Sequence, residues 1–202
     1  MLIHLICDFL EIVFHHILFV KNVYPEISFQ KKQMYNIPTW KSRHPGVCRY
    51  IQNFINLAKK ILESQKKLSL ILTITGKDGV KIEEFVFKIH LNANEVESET
   101  YKPKWNIEDM LNSLCVSVNT TDPSEKEIMC KDLSKIIGES FELKMLTSSK
   151  AVSTDDMKAD LSKKEFPWNV LKKTKFELWT RIMPVKTVEN EDYMMHIYRK
   201  RK

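Results

Sequence analysis

The apolar positions along this chain change period several times, and each change marks an element. Ile6, Phe9, Leu10, Val13, Ile17 and Val20 recur at helical spacing, with Asp8, Glu11, His15 and Lys21 mostly off that stripe. The spacing predicts a long N-terminal helix, apolar round much of its circumference. Tyr24-Pro25 ends the period, and residues 29–40 read as an irregular basic segment containing Pro38. A second ladder through Val47, Cys48, Ile51, Phe54, Ile55, Ala58, Ile61 and Leu62 predicts another helix, announced by Ser42 and by Pro45 near its first turn. The period then switches to two. Leu68, Leu70, Leu72 and Ile74 precede the Gly76-Lys77-Asp78-Gly79 turn, and Phe85, Phe87 and Ile89 alternate after it. That is the pattern of a β-hairpin.

The second half is less regular. Ile107, Met110, Leu111, Leu114 and Val118 predict a helix inside an acidic stretch, residues 95–128, with eight Asp/Glu against three Lys. A capping signal at 121–125 predicts one more helix through Ile128, Met129, Leu133, Ile136 and Ile137. Phe141, Leu143 and Met145 alternate like a strand, and residues 150–164 are polar enough to be a mobile connector. The last forty residues are apolar with little helical period. They carry Phe166-Pro167-Trp168, Trp179, Ile182-Met183-Pro184-Val185 and Tyr193 to Tyr198, and end in Arg199-Lys200-Arg201-Lys202. Such a tail is ordered only when it lies across the rest of the domain or a ligand.

Composition narrows the chemistry. The 202 residues are 43% hydrophobic and 29% charged, which suits a globular domain with a sizeable core. Lys+Arg 32 against Asp+Glu 26 gives a net charge of +6, too small an excess to argue for direct nucleic-acid binding. With four glycines at 46, 76, 79 and 138, neither common glycine-rich phosphate cradle can be written, so no nucleotide cofactor is expected. The cysteines (Cys7, Cys48, Cys115, Cys130) include no C-x-x-C and read as small core residues of a reducing compartment. His15 and His16 are adjacent, so on a helix they point about 100° apart and do not chelate together. No metal, cofactor or catalytic residue is therefore expected. Met1 to Val23 is apolar enough to suggest a leader or a membrane span. Asp8 and Glu11 oppose both, since a carboxylate at mid-bilayer costs about 2.5–3.5 kcal/mol. The segment also lacks a basic start and a small-residue cleavage site.

A series of short blocks, in order along the chain, resembles a known family. They are Ile6-Cys7-Asp8-Phe9-Leu10-Glu11, Val23-Tyr24-Pro25, Phe29-Gln30-Lys31, Tyr35-Asn36-Ile37-Pro38, His44-Pro45, Tyr50-Ile51-Gln52, Phe85-Val86-Phe87, Phe166-Pro167-Trp168 and Ile182-Met183-Pro184-Val185-Lys186. Together they resemble the HORMA-domain accessory subunits of translesion DNA polymerase zeta, the B-type paralogues of the mitotic-arrest-deficient checkpoint proteins. The likeness covers most of 6–90 and 150–198, and no site residue is carried over between Leu91 and Ser149. It implies an α+β HORMA domain over 1–202, with helices packed on a mainly antiparallel sheet. Residues 1–149 would form the core and 150–202 a mobile C-terminal safety belt.

The resemblance implies a non-catalytic adaptor. The belt would close over a proline-containing segment of the polymerase zeta catalytic subunit, gripped by aromatics at the matching positions Tyr24, Tyr50 and Trp168. A second surface, matching at Ile182, His196 and Tyr198, would receive the C-terminal domain of the Y-family deoxycytidyl transferase. His196 and Tyr198 stand two apart on a strand-like run and so face the same way. The alternative reading is a spindle-checkpoint regulator that captures activators of the anaphase-promoting complex. A homodimer through the central helix belongs to the same resemblance. DNA is met only indirectly, no membrane is involved, and the expected location is the nucleus, with the cytoplasm and spindle as further sites.

Overall fold

Helix α1 (Leu2–Val20) is the element round which the core assembles. In the computed structural model, which describes residues 2–76, 78–92, 107–119, 140–147, 179–189 and 191–202, α1 touches α2 (Pro45–Gln65), α3 (Ile107–Asn119) and a strand of the first hairpin. It buries Ile6, Phe9, Leu10, Val13, Phe14, Ile17 and Leu18, and also His15 and His16. By length and mean hydropathy, 1.8, this helix could cross a membrane, yet 67% of that window is buried inside the protein. Its two carboxylates are spoken for. Asp8 accepts a hydrogen bond from the Tyr35 hydroxyl at 3.1 Å, and Glu11 pairs with Lys41 at 2.7 Å.

Those partners belong to a hairpin that the sequence pattern did not predict. Residues expected to be irregular form β1 (Phe29–Met34) and β2 (Ile37–Ser42), paired antiparallel from Phe29↔Ser42 to Met34↔Ile37. Tyr35 and Asn36 turn the chain with φ of 48° and 59°, the two positive values that a primed two-residue turn requires. Pro38 is tolerated because each strand of a two-stranded ribbon is an edge. The ribbon is fastened to α1 by Phe19, stacked on Trp40 at 4.0 Å and edge-on to Phe29 at 5.5 Å.

Helix α2 follows the expected ladder, but its N-cap is His44, two residues after Ser42. Ser42 sits outside the helix and its hydroxyl accepts from the His44 amide. The His44 Nδ1 accepts in turn from Val47 N at 3.3 Å. Pro45 then occupies the first turn, where a missing N–H costs nothing.

The main sheet has five strands in the order β5-β3-β4-β7-β6, every neighbour antiparallel. The expected hairpin is β3 (Lys67–Thr75) and β4 (Lys81–Leu91), with Gly79 at φ 67° in its turn. β5 (Ser140–Leu146) pairs with β3 on one flank. β6 (Arg181–Glu189) and β7 (Tyr193–Arg201) form a C-terminal hairpin whose β7 pairs with β4 on the other flank. The helices pack on the face that carries Leu70, Leu72, Phe85 and Phe87, all at most 1% exposed. At the centre, Phe14 of α1 meets Phe54 of α2 at 6.1 Å and Phe87 of β4 at 5.4 Å. The helix expected over 128–137, the connector over 150–164 and Trp168 lie outside the described residues.

The buried histidines give the fold a pH dependence. Burial pushes His15 down to about 4 and His16 below its ordinary value; His15 is 1% exposed, with Nδ1 accepting from Ser42 N at 3.4 Å. A folded-state pKa below the unfolded one means that the unfolded chain binds more protons. Stability is then full above pH 6.5 and falls as pH drops towards 4, by about 3 kcal/mol for His15 alone. Thermal unfolding followed from pH 7.5 to 4.5 should show that loss. His15→Asn, which keeps an acceptor near Nδ1 and cannot titrate, should flatten it. An unaltered slope would assign the acid sensitivity elsewhere.

Candidate peptide-binding edge

Strand β5 ends the sheet. It pairs with β3 from Thr75↔Ser140 to Ser69↔Leu146, and among the described residues no strand lies against its other side. An uncovered edge presents main-chain donors and acceptors at a spacing that an extended chain can match. Along β5, Phe141, Leu143 and Met145 turn towards the helices and pack on the core. Glu142, Lys144 and Leu146 turn the other way, and Glu142 and Lys144 pair at 2.9 Å.

Two of the expected site residues meet at this strand. Tyr24 leaves the end of α1 just past Asn22, whose φ of 50° redirects the chain, and Val23, which is buried and anchors it. Tyr50 comes from the second turn of α2, beside the buried stripe that Val47, Ile51 and Phe54 define. Both rings stand edge-on to Phe141, Tyr24 at 6.2 Å and 85°, Tyr50 at 5.6 Å and 70°. The amide of Leu143 donates to the Tyr50 hydroxyl at 3.4 Å, so the tyrosine also ties α2 to the edge strand. Burial raises both phenol pKa values, which keeps the hydroxyls protonated at neutral pH. The result is a half-buried aromatic corner beside a main-chain edge that no described strand covers, a surface suited to holding an extended segment with ring-shaped side chains. Phe141 is the member that sequence reading missed. Its alternation marked a strand, but nothing local marked that strand as an edge.

The second expected cluster lies at the opposite end of the sheet. On β7, Tyr193, Met195, Ile197 and Arg199 are buried while Met194, His196, Tyr198 and Lys200 are half-exposed on the outer face. Ile182 is opposite Lys200 in register and 64% exposed, so Ile182, His196 and Tyr198 share one surface. His196 Nδ1 meets the Thr187 hydroxyl at 3.1 Å. Lys88 and Lys200 lie over the Tyr198 ring at 5.3 and 5.9 Å, and Lys200 and Lys202 over Trp179 at 5.9 and 5.8 Å. The inner face of the same hairpin meets α3, where the Tyr193 hydroxyl reaches Met110 Sδ at 3.9 Å and Lys186 reaches the Ser113 hydroxyl at 3.2 Å. Cys7 is buried, its thiol pushed up to about 12 by desolvation, and Cys48 is half-buried; both are free. Among the described residues no group of His, Cys, Asp and Glu is placed to hold a metal ion.

A family model for the HORMA domain matches residues 3–164. The chain belongs to the HORMA-domain family. Its curated relatives include the zebrafish (Danio rerio) mitotic spindle assembly checkpoint protein MAD2B, 28% identical over 96% of this chain and 88% of that protein. They also include the DNA polymerase zeta processivity subunit of Schizosaccharomyces pombe, 32% identical over 40% of this chain and 38% of that protein. The HORMA fold also appears in solved structures. One chain of a mitotic checkpoint complex superposes with a TM-score of 0.64 at 16% identity, covering 99% of this chain and 98% of that one. C. elegans HTP-2 bound to the HIM-3 closure motif superposes with a TM-score of 0.56 at 15% identity, covering 97% and 88%. The α+β architecture expected from the sequence is the HORMA architecture observed.

The hydroxyl contact makes a local prediction. Tyr50→Phe keeps the ring against Phe141 and removes the acceptor for Leu143. Exchange of the Leu143 amide, followed by NMR, should quicken about 2–10-fold, the scale of one net hydrogen bond, while the amides of β4 keep their rates.

Proposed function

We propose that this HORMA protein is a non-catalytic adaptor in translesion DNA synthesis and the response to DNA damage. It takes a proline-containing segment of the polymerase zeta catalytic subunit along the free side of β5. The C-terminal belt, 150–202, closes over that segment, with 1–149 as the core it closes on. The observation that carries this reading is the β5 edge, unpaired among the described residues, with Tyr24 and Tyr50 both edge-on to Phe141. Two relationships support it: the relatives named as polymerase zeta subunits, and a HORMA neighbour bound to a closure motif. An extended ligand gains main-chain hydrogen bonds from the edge, and its prolines lie flat on the tyrosine faces. Trp168 is proposed as the third aromatic of this grip, and nuclear location follows from the role.

The outer face holding Ile182, His196 and Tyr198 is the proposed seat of the C-terminal domain of the Y-family deoxycytidyl transferase. The two surfaces lie at opposite ends of one sheet, so both partners can be held at once. A second reading is favoured by the checkpoint name of the MAD2B relatives: capture of an anaphase-promoting complex activator in the same edge. Affinity purification from damaged and undamaged cells, reading which proline-bearing partner co-elutes, separates the two.

Tyr50→Ala, or Trp168→Ala, should weaken the polymerase segment by at least about 1–2 kcal/mol in calorimetry with the fold intact. Unchanged affinity removes the aromatic grip. Tyr198→Ala should weaken the transferase domain in pull-down and spare the polymerase segment. Equal loss of both would point to general loosening of the C-terminal hairpin.

A further inference from the structure

The inner face of the C-terminal hairpin changes character along its length. Tyr193, Met195 and Ile197 meet the core as apolar groups, and the next inward residue is Arg199, 6% exposed. Its Nε lies 3.0 Å from Oε1 of Glu83, which is 3% exposed on β4; the contact is short but not aligned as a hydrogen bond. Oε2 of the same carboxylate lies 2.8 Å from the ammonium of Lys21, just past the end of α1. That ammonium also sits 5.6 Å from the centre of the Phe85 ring. Arg201 is opposite Glu83 in the strand register and adds positive charge beside Lys21. One buried carboxylate thus joins three elements: the first helix, the central hairpin and the last strand. Removing it would leave Lys21 and Arg199 facing one another with their shared anion gone and the charge of Arg201 close to Lys21.

We propose that Glu83 is the catch that holds the C-terminal hairpin on β4, and through that hairpin a positioning residue for capture of the bound segment. The second half of this statement rests on the adaptor reading above. Taking one charged partner from a buried cluster is costly because the remaining charges stay desolvated. Here the remaining charges sit on opposite sides of one joint, so the cost falls on the joint. Opening therefore separates β7 from β4 before the helical core loosens. Because one of its anchors is Lys21, the catch also tells the hairpin whether α1 is in place.

Hydrogen–deuterium exchange on the full chain tests the catch without any ligand. Glu83→Gln should speed exchange across 193–201 at least about tenfold, while 51–62 and 68–74 stay within about twofold of the unmodified protein. Arg199→Met, which keeps the Lys21–Glu83 pair intact, should give the same local pattern at roughly threefold or more, and decides the matter should Glu83→Gln fail to fold. Unchanged exchange in 193–201, or equal acceleration everywhere in both variants, overturns the proposal. A fluorescein-labelled proline-containing segment of the polymerase zeta catalytic subunit then reads the second half. Its dissociation should quicken about tenfold from Glu83→Gln; an unchanged off-rate overturns the positioning role. If the unmodified protein takes up no such segment, the adaptor reading and the positioning role fall together, while the exchange pattern still decides the catch.

Discussion

Strand β7 comes from the far end of the chain and pairs with β4, and the remainder of the sheet is arranged round that pairing. Closing so long a loop costs entropy that grows only slowly with its length. The joint must still repay the ordering of a whole hairpin. Tyr193, Met195 and Ile197, each 0–2% exposed, supply about 1.5–3 kcal/mol apiece by leaving water. The ladder from Glu83↔Arg201 to Leu91↔Tyr193 fixes the register. With β4 occupied in this way, β5 and β6 become the two ends of the sheet, and they differ. The β5 end is flanked by tyrosines from the helical layer, whereas the β6 end carries an exposed isoleucine beside lysines and aromatic rings.

The helical layer matters to the site because it sets the distance between Tyr24 and Tyr50. One comes from the exit of α1 and the other from the start of α2, and the two helices are locked by the Phe14–Phe54 contact. A corner built between rigid helices is held more closely than one built on a loop. Phe141 fills it from the strand side.

Much of the architecture could be read from the residues alone. The period of 3.6 in α1 and α2 and the period of two around Gly76–Gly79 produced elements close to those observed. The β1–β2 ribbon was missed because Tyr35-Asn36 turns the chain without glycine, and because Pro38 argued against a strand. His15 was placed off the apolar stripe, yet it is buried, since α1 is covered by α2, α3 and β2 together rather than along one side. Beyond the β3–β4 hairpin, pairing partners were not legible: nothing local in 193–201 says that it lies against β4. The candidate site residues were suggested only by the family resemblance. Periodicity treats Tyr24 and Tyr50 as ordinary half-buried aromatics, and Lys21, Glu83 and Arg199 stand too far apart in the chain for any pattern to join them.

The covering of α1 has a consequence for biosynthesis. This helix is the first described element to leave the ribosome, and much of its circumference is greasy. Helix α2 and the β1–β2 ribbon arrive early enough to shield two sides, but α3 is translated much later. Until it docks, the nascent chain exposes an apolar flank of α1 that would cling to other hydrophobic surfaces. Holdase chaperones, or prompt engagement by a co-translated partner, would then govern how much usable protein a cell obtains.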